Sequence, residues 1–415
     1  MLVAVQYIFN RLIKKQILMI NFSKKQFCFL MFVVFAAGAS KLQAQKITQE
    51  HNQAILNTKQ GSIVQLPGFL SEKIPSIQYQ KIVLPGPQYI ISDDPEYIRV
   101  PEIIALKEAV QPGTVRLYVY NVNGIQEPAK IDRKITAVIK NTGKSNMTIR
   151  MLRYSSQKPT TNYFMAGKNG LADYFASQPE TKGRKVKPGQ IIPIDEKLEK
   201  QVVKYDELVH GFYEFVIDQP AEISILQTAP TTPGPKAASY IKEIASSRHT
   251  NAGRGLFGVS NYLVMTKDTF DTKNDPAAII VADGKEDPWV IGKDASTGEL
   301  AKLAGNYGVM YNIEMKWKST NGKGLALVTW NARAGDNKWC GGMANTMIVS
   351  EGKFKEGIIQ LPADQLRTKG APEAILIQVF PPAKNGEVQT INLTYSPPGA
   401  SCLPTPLIFI PIDMQ

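Results

Sequence analysis

The sequence predicts an all-β protein made of two antiparallel β-sandwich domains, immunoglobulin-like or jelly-roll-like, with a few short helices. Short runs of β-branched and aromatic residues recur between Gly, Pro, Asn and Asp turns. This spacing is typical of sandwiches rather than of alternating strands and helices. A proline-rich segment at 229–236 interrupts the pattern and predicts a linker between the two domains.

The first sandwich domain is predicted over residues 86–228. KITAVIK (134–140) and MTIRMLRY (147–154) flank a turn that contains a glycine, which predicts a β-hairpin. GFYEFVID (211–218) and AEISILQT (221–228) flank a Gln-Pro turn and predict a second hairpin.

Helical signals are few, and each covers only two or three turns, which suits insertions between strands. The stretches with helical character are PEIIALKEAV (101–110), NGLADYFASQ (169–178), DEKLEKQVV (195–203) and AASYIKEIASS (237–247).

The second sandwich domain is predicted over residues 237–415, where nine β-type runs follow one another. These runs are NYLVM, AIIVAD, NYGVMYNIEMKW, KGLALVTWN, TMIVS, GIIQLP, EAILIQVF, QTINLTY and PLIFIP. Nine short strands suit a sandwich or a jelly roll. The polar segment at 45–85, which contains scattered prolines, predicts a loosely structured N-terminal arm.

Residues 1–44 have the composition of a secretory signal peptide. Lys24 and Lys25 precede the apolar run FCFLMFVVFAAGA, and small residues follow it. We predict cleavage after Ala44, with Ala39 as the alternative and Met19 as an alternative start. Cleavage after Ala44 leaves 371 residues and removes six Lys/Arg, which lowers the net charge from +12 to +6. The protein is therefore expected outside the cytoplasm, with no transmembrane segment after cleavage and no affinity for nucleic acid.

Two of the three cysteines, Cys340 and Cys402, remain after cleavage. An even pair in an oxidising compartment indicates a disulfide. Two buried thiols are the alternative interpretation.

The stretch GRGLFG matches the dinucleotide-binding pattern G-x-G-x-x-G at Gly253, Gly255 and Gly258. That function requires a strand before the glycines and a helix after them. Here a helix-like stretch precedes the glycines and the β-type NYLVM follows, so we predict a glycine-rich turn that enters a strand. His249 and Arg254 lie beside these glycines and are kept as candidate ligand-binding residues.

Histidine and acidic residues give little sign of catalysis. The three histidines are widely spaced, so no metal-binding histidine motif is present. Acidic residues cluster in a turn at 93–96 and in another at 268–275. Such turns could bind calcium or supply a glycosidase acid pair, but neither shows the alternation of an EF-hand loop. We expect solvated turns, with no metal site and no cofactor.

Aromatic and basic residues are the better candidates for binding. Trp317 and Trp330 lie inside predicted strands and are expected in the core, whereas Trp289 and Trp339 lie beside turns and could stack on a sugar ring. The loop TKGRKVKPG carries four cations without an acid and could contact an anionic polymer. These cations are Lys182, Arg184, Lys185 and Lys187.

Several phrases together resemble a group of secreted bacterial proteins of uncharacterised function, many of which carry an N-terminal stalk repeat named after copper amine oxidases. The phrases are SDDPEYIRVPEI, VRLYVYNVNG, RHTNAGRGLF, GNYGVMY, KWCGGM and PPGASCLP. The stalk repeat itself is not found here. Copper amine oxidase chemistry requires T-x-x-N-Y-[DE], and the three Asn-Tyr pairs of this chain continue with Phe164, Leu263 and Gly308.

The sequence therefore predicts a secreted or cell-envelope protein that binds or supports other envelope components, with surface polysaccharide or an anionic polymer as partner. No catalytic constellation is recognisable, so an enzyme is not the first interpretation. The alternative is a secreted hydrolase that acts on carbohydrate or peptidoglycan. Facing carboxylates in a cleft would favour the hydrolase.

The cysteine prediction is tested by peptide mass spectrometry of alkylated protein without reductant. We expect a peptide that links Cys340 to Cys402, closing a 62-residue loop. Reduction should lower the free energy of unfolding by about 4 kcal/mol. Two alkylated thiols in the unreduced sample would contradict the prediction.

Overall fold

A computed structural model describes residues 47–70, 74–246, 253–331, 341–369 and 373–414. In these ranges strands predominate, and the helices are short. The prediction of an all-β sandwich fold is confirmed. Residues 45–415 group into one compact unit.

The helices of the described ranges are few, and one predicted helix is a strand. They are α1 (Gln49–Asn57), α2 (Tyr163–Ala176), α3 (Glu196–Glu199), α4 (Gly234–Tyr240) and a 3-10 turn at Lys384–Gly386. α2 confirms the helix predicted around 169–178. The stretches at 195–203 and 237–247 are helical only in part, in α3 and α4.

The described residues contain 25 strands. In chain order they are β1 (Ile63–Val64), β2 (Tyr79–Leu84), β3 (Gln88–Ser92), β4 (Tyr97–Ile98), β5 (Ile103–Val110), β6 (Gly113–Asn123), β7 (Lys134–Asn141), β8 (Met147–Ser156), β9 (Arg184–Val186), β10 (Ile191–Pro193), β11 (Leu208–Ile217), β12 (Ala221–Thr228), β13 (Gly255–Phe257), β14 (Asn261–Thr266), β15 (Phe270–Asp271), β16 (Ala277–Val281), β17 (Val290–Asp294), β18 (Leu300–Leu303), β19 (Met310–Lys318), β20 (Gly324–Trp330), β21 (Asn345–Val349), β22 (Gly357–Leu361), β23 (Ala374–Phe380), β24 (Gln389–Tyr395) and β25 (Thr405–Ile412).

The strands form four sheets. The five-stranded sheet has the order β1-β23-β20-β25-β16, and the four-stranded sheet has the order β10-β7-β12-β5. The seven-stranded sheet has the order β2-β14-β19-β24-β21-β22, with β15 beside β19. The nine-stranded sheet has the order β18-β17-β13-β3-β6-β11-β8-β9, with β4 beside β6. Most pairs are antiparallel; β3 and β4 pair in parallel with β6, and β14 and β15 with β19.

The nine-stranded and four-stranded sheets form the first sandwich. Alternate residues of each strand point into its core, as the period of two in a strand requires. Leu117 and Phe215 of the larger sheet share this core with Ile139 and Ile225 of the smaller one, and all four are fully buried.

The five-stranded and seven-stranded sheets form the second sandwich. Its core joins Leu327 and Phe409 to Ile313, and it includes Trp317, whose exposed fraction is 1%. Trp330, exposed by 5%, packs on the opposite face of the five-stranded sheet. The predicted core positions of Trp317 and Trp330 are therefore confirmed.

Both hairpins predicted in the first domain are wrong. β7 lies in the four-stranded sheet and β8 in the nine-stranded sheet, and β12 and β11 are separated in the same way. Each turn therefore crosses from one layer of the sandwich to the other. A turn signal indicates that the chain reverses, but it does not identify the partner strand. β11 instead pairs along all ten of its residues with β6.

The prediction of a helix at 101–110 is wrong as well, because this stretch contains β5. Ala, Leu, Lys and Glu favour helices only weakly, and tertiary context overrides such preferences. Here Ile103 to Leu106 are buried, and β5 pairs with β12 along the edge of the four-stranded sheet.

The segment at 45–85 is not a loose arm where the structure describes it. α1 begins at a capping box between Thr48 and His51. Its Ile55 is fully buried on the five-stranded sheet, in one cluster with Trp330 and Ile408. β1 pairs with β23 and β2 with β14, so the segment belongs to the second sandwich.

Strands from both sides of 229–236 share the nine-stranded sheet. β13, β17 and β18 follow this segment in sequence, yet β13 pairs with β3. In that ladder Gly255 lies opposite Ile91 and Phe257 opposite Tyr89. The sequence prediction of two domains did not include this connection.

Gly255 and Arg254 of the GRGLFG stretch both have structural roles in the fold. Gly255 has a φ of +124°, and a Cβ atom there would lie 2.0 Å from the carbonyl oxygen of Lys293. Arg254 is fully buried. Its Nη1 donates hydrogen bonds to the carbonyl oxygens of Ala105 (3.0 Å) and Ala245 (2.7 Å). The stretch therefore lets β13 and β17 approach closely and ties them to β5.

A second connection between the two halves of the chain runs through Arg116 of β6, which is 3% exposed. Its Nη1 donates to the carbonyl oxygen of Ser260 at 2.7 Å, and its Nε donates to Glu214 at 3.0 Å. The hydroxyl of Tyr174 in α2 donates to the same carboxylate oxygen at 3.0 Å. One buried ion pair thus connects the nine-stranded sheet, α2 and the chain that leads into β14.

In the ranges that the structure describes, no helix has the length and apolar character needed to cross a bilayer.

The structure predicts that Gly255→Ala is severely destabilising. The methyl group would collide with backbone, and alanine is strained at this φ, so we expect a loss of at least about 3 kcal/mol. Urea denaturation with far-UV circular dichroism measures it. Gly258→Ala is the matched control, because a Cβ there meets only the carbonyl oxygen of Ile291 at 3.8 Å. Equal stabilities of the two variants would contradict the account of β13.

Candidate functional site

A cavity of about 970 Å³ lies where loops from both sandwiches converge. Its walls come from the turn between β3 and β4, the start of α2, the loop between β16 and β17, the turn after β18, and the segments at 366–367 and 399–404. A volume of this size is typical of a ligand site.

Five aromatic side chains of the described residues line this cavity. Trp289 is half-buried, and its indole packs over the backbone of Gly284, where a Cβ atom would lie 2.4 Å from the ring. The others are Tyr120, Tyr163, Phe164 and Tyr307. Flat aromatic faces of this kind pack on the apolar faces of rings, including sugar rings.

A buried polar network fixes the loop that carries Trp289. Asp287 is fully buried and forms an ion pair with Lys81. Its other carboxylate oxygen accepts hydrogen bonds from the hydroxyl of Tyr311 at 2.6 Å and from the amide of Ala282 at 2.7 Å. Asn306 accepts a hydrogen bond from the amide of Val290 at 2.8 Å. Trp289 is therefore held between two anchored residues.

Two glycines let α2 form another wall. A Cβ at Gly167 would lie 2.7 Å from the carbonyl oxygen of Gly399, and one at Gly170 would lie 2.3 Å from the ring of His210. Lys168 of the same helix is 4% exposed and donates to the carbonyl oxygens of Gln365 at 2.8 Å and Leu366 at 3.2 Å. These contacts hold the segment that carries Arg367 against the helix.

The acidic turn between β3 and β4 contributes Asp93 and Glu96 to the cavity. Asn121 holds this turn, since it donates to the carbonyl oxygen of Pro95 at 3.1 Å and accepts from the hydroxyl of Ser92 at 2.8 Å. Burial raises the pKa of Asp93 well above its usual range, and the neighbouring carboxylates of Glu96 and Asp94 raise it further. A perturbed carboxyl in a cleft marks a candidate functional residue.

Asp283 and Arg367 add two charged side chains to the lining. The Asp283 carboxylate accepts hydrogen bonds from the amides of Lys285 and Asp287, both at 2.9 Å. The Arg367 guanidinium lies 4.6 Å from the ring centre of Phe164. Asp283 thus stabilises its own loop, and Arg367 is a cation at the rim of the cavity.

The predicted site residues have different positions in the structure. Trp289 lies in the cavity wall. Trp339, His249 and Cys340 lie outside the described residues, so their roles and the pairing of Cys340 with Cys402 stay predictions. Cys402 lines the cavity. The proposal of Arg254 as a ligand-binding residue is corrected, because its side chain is fully buried and bonded within the fold.

The basic loop runs into the edge strand β9, and none of its four cations lines the cavity. Arg184 is half-buried, and its guanidinium donates to the carbonyl oxygens of Pro193 (2.8 Å) and Ile194 (2.6 Å). Lys185 donates to Thr148 at 2.6 Å. Lys182 and Lys187 are exposed.

Sequence reasoning missed three tyrosines of the cavity, namely Tyr120, Tyr163 and Tyr307. No local pattern marks them, because they come from β6, α2 and a turn that meet only in the folded chain. Among the described residues, no group of three or more His, Cys, Asp and Glu could hold a metal ion. In the second acidic turn, Asp271 accepts a hydrogen bond from the Thr320 hydroxyl at 2.8 Å.

No family model matches the chain, and no curated protein matches it. Two solved structures are similar to it over most of its length. The CUB1-EGF-CUB2 domain of human MASP-1/3 is 8% identical, with 74% of this chain and 99% of that chain covered and a TM-score of 0.17. The CUB1-EGF-CUB2 domains of rat MASP-1 are 7% identical, with 76% and 100% covered and a TM-score of 0.16. Scores this low support no conclusion about fold or function.

His210 packs behind the cavity wall, against Tyr120 and α2. Its ring is 1% exposed and lies 5.1 Å from Tyr118 and 6.1 Å from Tyr120 between ring centres. Its Nδ1 has no hydrogen-bond partner among the described residues. Burial lowers the pKa of His210 from 6.5 to about 4. The imidazole is therefore neutral in the folded protein at neutral pH.

We predict that the lowered pKa of His210 makes the folded protein less stable as the pH falls. Between pH 6.5 and pH 4 the unfolded histidine binds a proton that the folded one does not. This contribution is fully present above pH 6.5 and is lost as the pH falls towards 4, by up to about 3 kcal/mol. Urea denaturation of wild type and His210→Gln at several pH values measures it. The difference in stability between the two proteins should shrink or reverse in acid, and a constant difference would contradict the prediction.

Proposed function

We propose that the protein binds a polysaccharide chain outside the cytoplasm and that the cavity between its sandwiches is the binding site. The observation that supports this most is the convergence of Trp289 and four other aromatic rings with carboxyl groups in one cavity. Aromatic faces stack on pyranose rings, and carboxyl groups bind sugar hydroxyls. Saccharide sites commonly combine these two contacts, and largely preformed sites reduce the entropy cost of binding.

The leader-like segment at 1–44 supports a secreted or envelope location, because its basic start and short apolar run suit export. The pair of cysteines that remains after cleavage agrees with an oxidising compartment. Cell-envelope polysaccharide is abundant there and is the partner class that we propose.

A hydrolase that acts on carbohydrate or peptidoglycan is the second candidate. Asp93 and Glu96 favour it, since two carboxyls enter the cavity from one turn and one of them has a raised pKa. Binding remains the first proposal because Asp283, the carboxylate from another wall, is engaged by backbone amides. Release of reducing ends by wild type, lost in Asp93→Asn, would favour hydrolysis.

Exposed Lys182 and Lys187 offer a second, weaker contact with an anionic polymer. Exposed charges of this kind contribute mainly to long-range attraction and are screened by salt.

The binding proposal predicts that Trp289→Ala weakens binding about tenfold, because stacking area is lost. The purified protein is first screened on a glycan array, and isothermal titration calorimetry then measures wild type and variant with the soluble oligosaccharides that bind. Tyr154→Ala is the matched control, since Tyr154 is 37% exposed on β8 and does not line the cavity.

Equal losses in the Trp289 and Tyr154 variants would contradict the placement of the site. A wild-type protein that binds no glycan would contradict the function itself.

A further inference from the structure

Asp93 is the most unusual side chain of the cavity. It lines the cavity and is half-buried, yet no hydrogen bond or ion pair joins its carboxyl to any described residue. A carboxylate that is removed from water is normally stabilised by donors or cations. The absence of such partners leaves the carboxyl available to a ligand.

The charges around Asp93 disfavour its ionised form. The groups that interact with it electrostatically are carboxyls of its own turn or tyrosine hydroxyls of neighbouring elements. They are Asp94 and Glu96 in the turn, Tyr89 in β3, Tyr118 and Tyr120 in β6, and Tyr307 after β18. None of these groups carries a positive charge, so the carboxyl is best accommodated as a neutral acid.

A second polar group in the wall also lacks a partner. Tyr120 is 4% exposed, and its hydroxyl has no hydrogen-bond partner in the part of the chain that the structure describes. Its ring is fixed against Gly399, where a Cβ atom would lie 2.2 Å from the Tyr120 ring. Buried polar groups without partners are rare in folded proteins and call for an explanation such as a ligand.

We propose that Asp93 acts as a carboxylic acid that donates a hydrogen bond to an acceptor oxygen of the bound saccharide. The inference rests on the proposed saccharide function and specifies the ligand's chemistry at this position. A neutral acid donates to a hydroxyl, ring or N-acetyl carbonyl oxygen. At this position the site therefore offers the ligand a hydrogen-bond donor and no negative charge.

The protonation state has a direct test that needs no ligand. Infrared difference spectra of wild type against Asp93→Asn at neutral pH should contain the carbonyl band of a protonated carboxylic acid. Asp275→Asn is the control, because Asp275 is exposed outside the cavity, and it should remove a carboxylate band instead. A carboxylate signal from Asp93 would overturn the inference.

The binding test uses cellotetraose, mannotetraose, chitotetraose and tetraglucosamine, the last two being a matched neutral and cationic pair. At neutral pH, Asp93→Asn should leave the ratio of the affinities for chitotetraose and tetraglucosamine unchanged, because a protonated Asp93 carries no charge. Affinity should be constant at low pH and fall as the pH rises through the raised pKa of Asp93. The titrations run from acid to alkaline pH, so that the protonation of Asp93 and of the amine of the cationic probe can both change.

Two variants distinguish a hydrogen bond donated by residue 93 from an effect of the charge of its side chain. Asp93→Asn keeps a donor and should retain binding within about threefold with a flat pH profile, whereas Asp93→Ala should lose roughly three- to tenfold. The inference would be overturned by equal losses in both variants or by a pH-independent affinity of the wild type. A ratio of chitotetraose to tetraglucosamine affinity that changes in Asp93→Asn would overturn it as well. A protonated Asp93 in a protein that binds none of the tetrasaccharides would refute the saccharide function, and an ionised Asp93 in a protein that binds one would refute the inference alone.

Discussion

The three-residue ladder between β13 and β3 is the constraint on which the rest of the structure depends. It brings a strand from the second half of the chain into the nine-stranded sheet. Gly255 lets β17 pair with the other edge of this strand, because any side chain there would strike the carbonyl of Lys293 in β17. Buried Arg254 anchors this strand to the opposite layer of the first sandwich. Because the sheet is shared, residues 45–415 form one compact unit, and loops of both sandwiches reach the same cavity.

The loops around the cavity are held by hydrogen bonds, but a few polar groups that face the cavity lack partners, which is energetically unfavourable. Asp287 and its partners hold the tryptophan loop, and Asn121 holds the acidic turn, so most polar groups around the cavity are satisfied within the protein. Exceptions among the described residues are the carboxyl of Asp93, the hydroxyl of Tyr120 and Nδ1 of His210 behind the wall. Proteins tolerate such local violations where function requires them and offset their cost elsewhere. The rigid frame is therefore consistent with a preformed binding site.

Sequence patterns predicted the positions of strands better than they predicted which strands pair with each other. The nine β-type runs of the second half all contain strands, because alternation and turn residues are local properties of the chain. The two hairpins and the helix at 101–110 failed for one physical reason. Pairing between distant strands and burial of their faces outweigh local turn and helix preferences of a few tenths of a kcal/mol per residue. The acidic turn and Trp289 could be identified as candidates, but their convergence on one cavity could not.

The sequence by itself determined the all-β class, the core positions of Trp317 and Trp330, and the segments that form most strands, since all of these follow from periodicity and residue type. Only the tertiary structure decided which sheet each strand joins, that Arg254 is buried, and that the tyrosines of β6, of α2 and of the turn after β18 line one cavity with Asp93. These properties depend on contacts between residues that are more than a hundred positions apart in some cases, as between Asp93 and Tyr307. Local sequence patterns do not predict such contacts, because they form only when the sheets pack face to face.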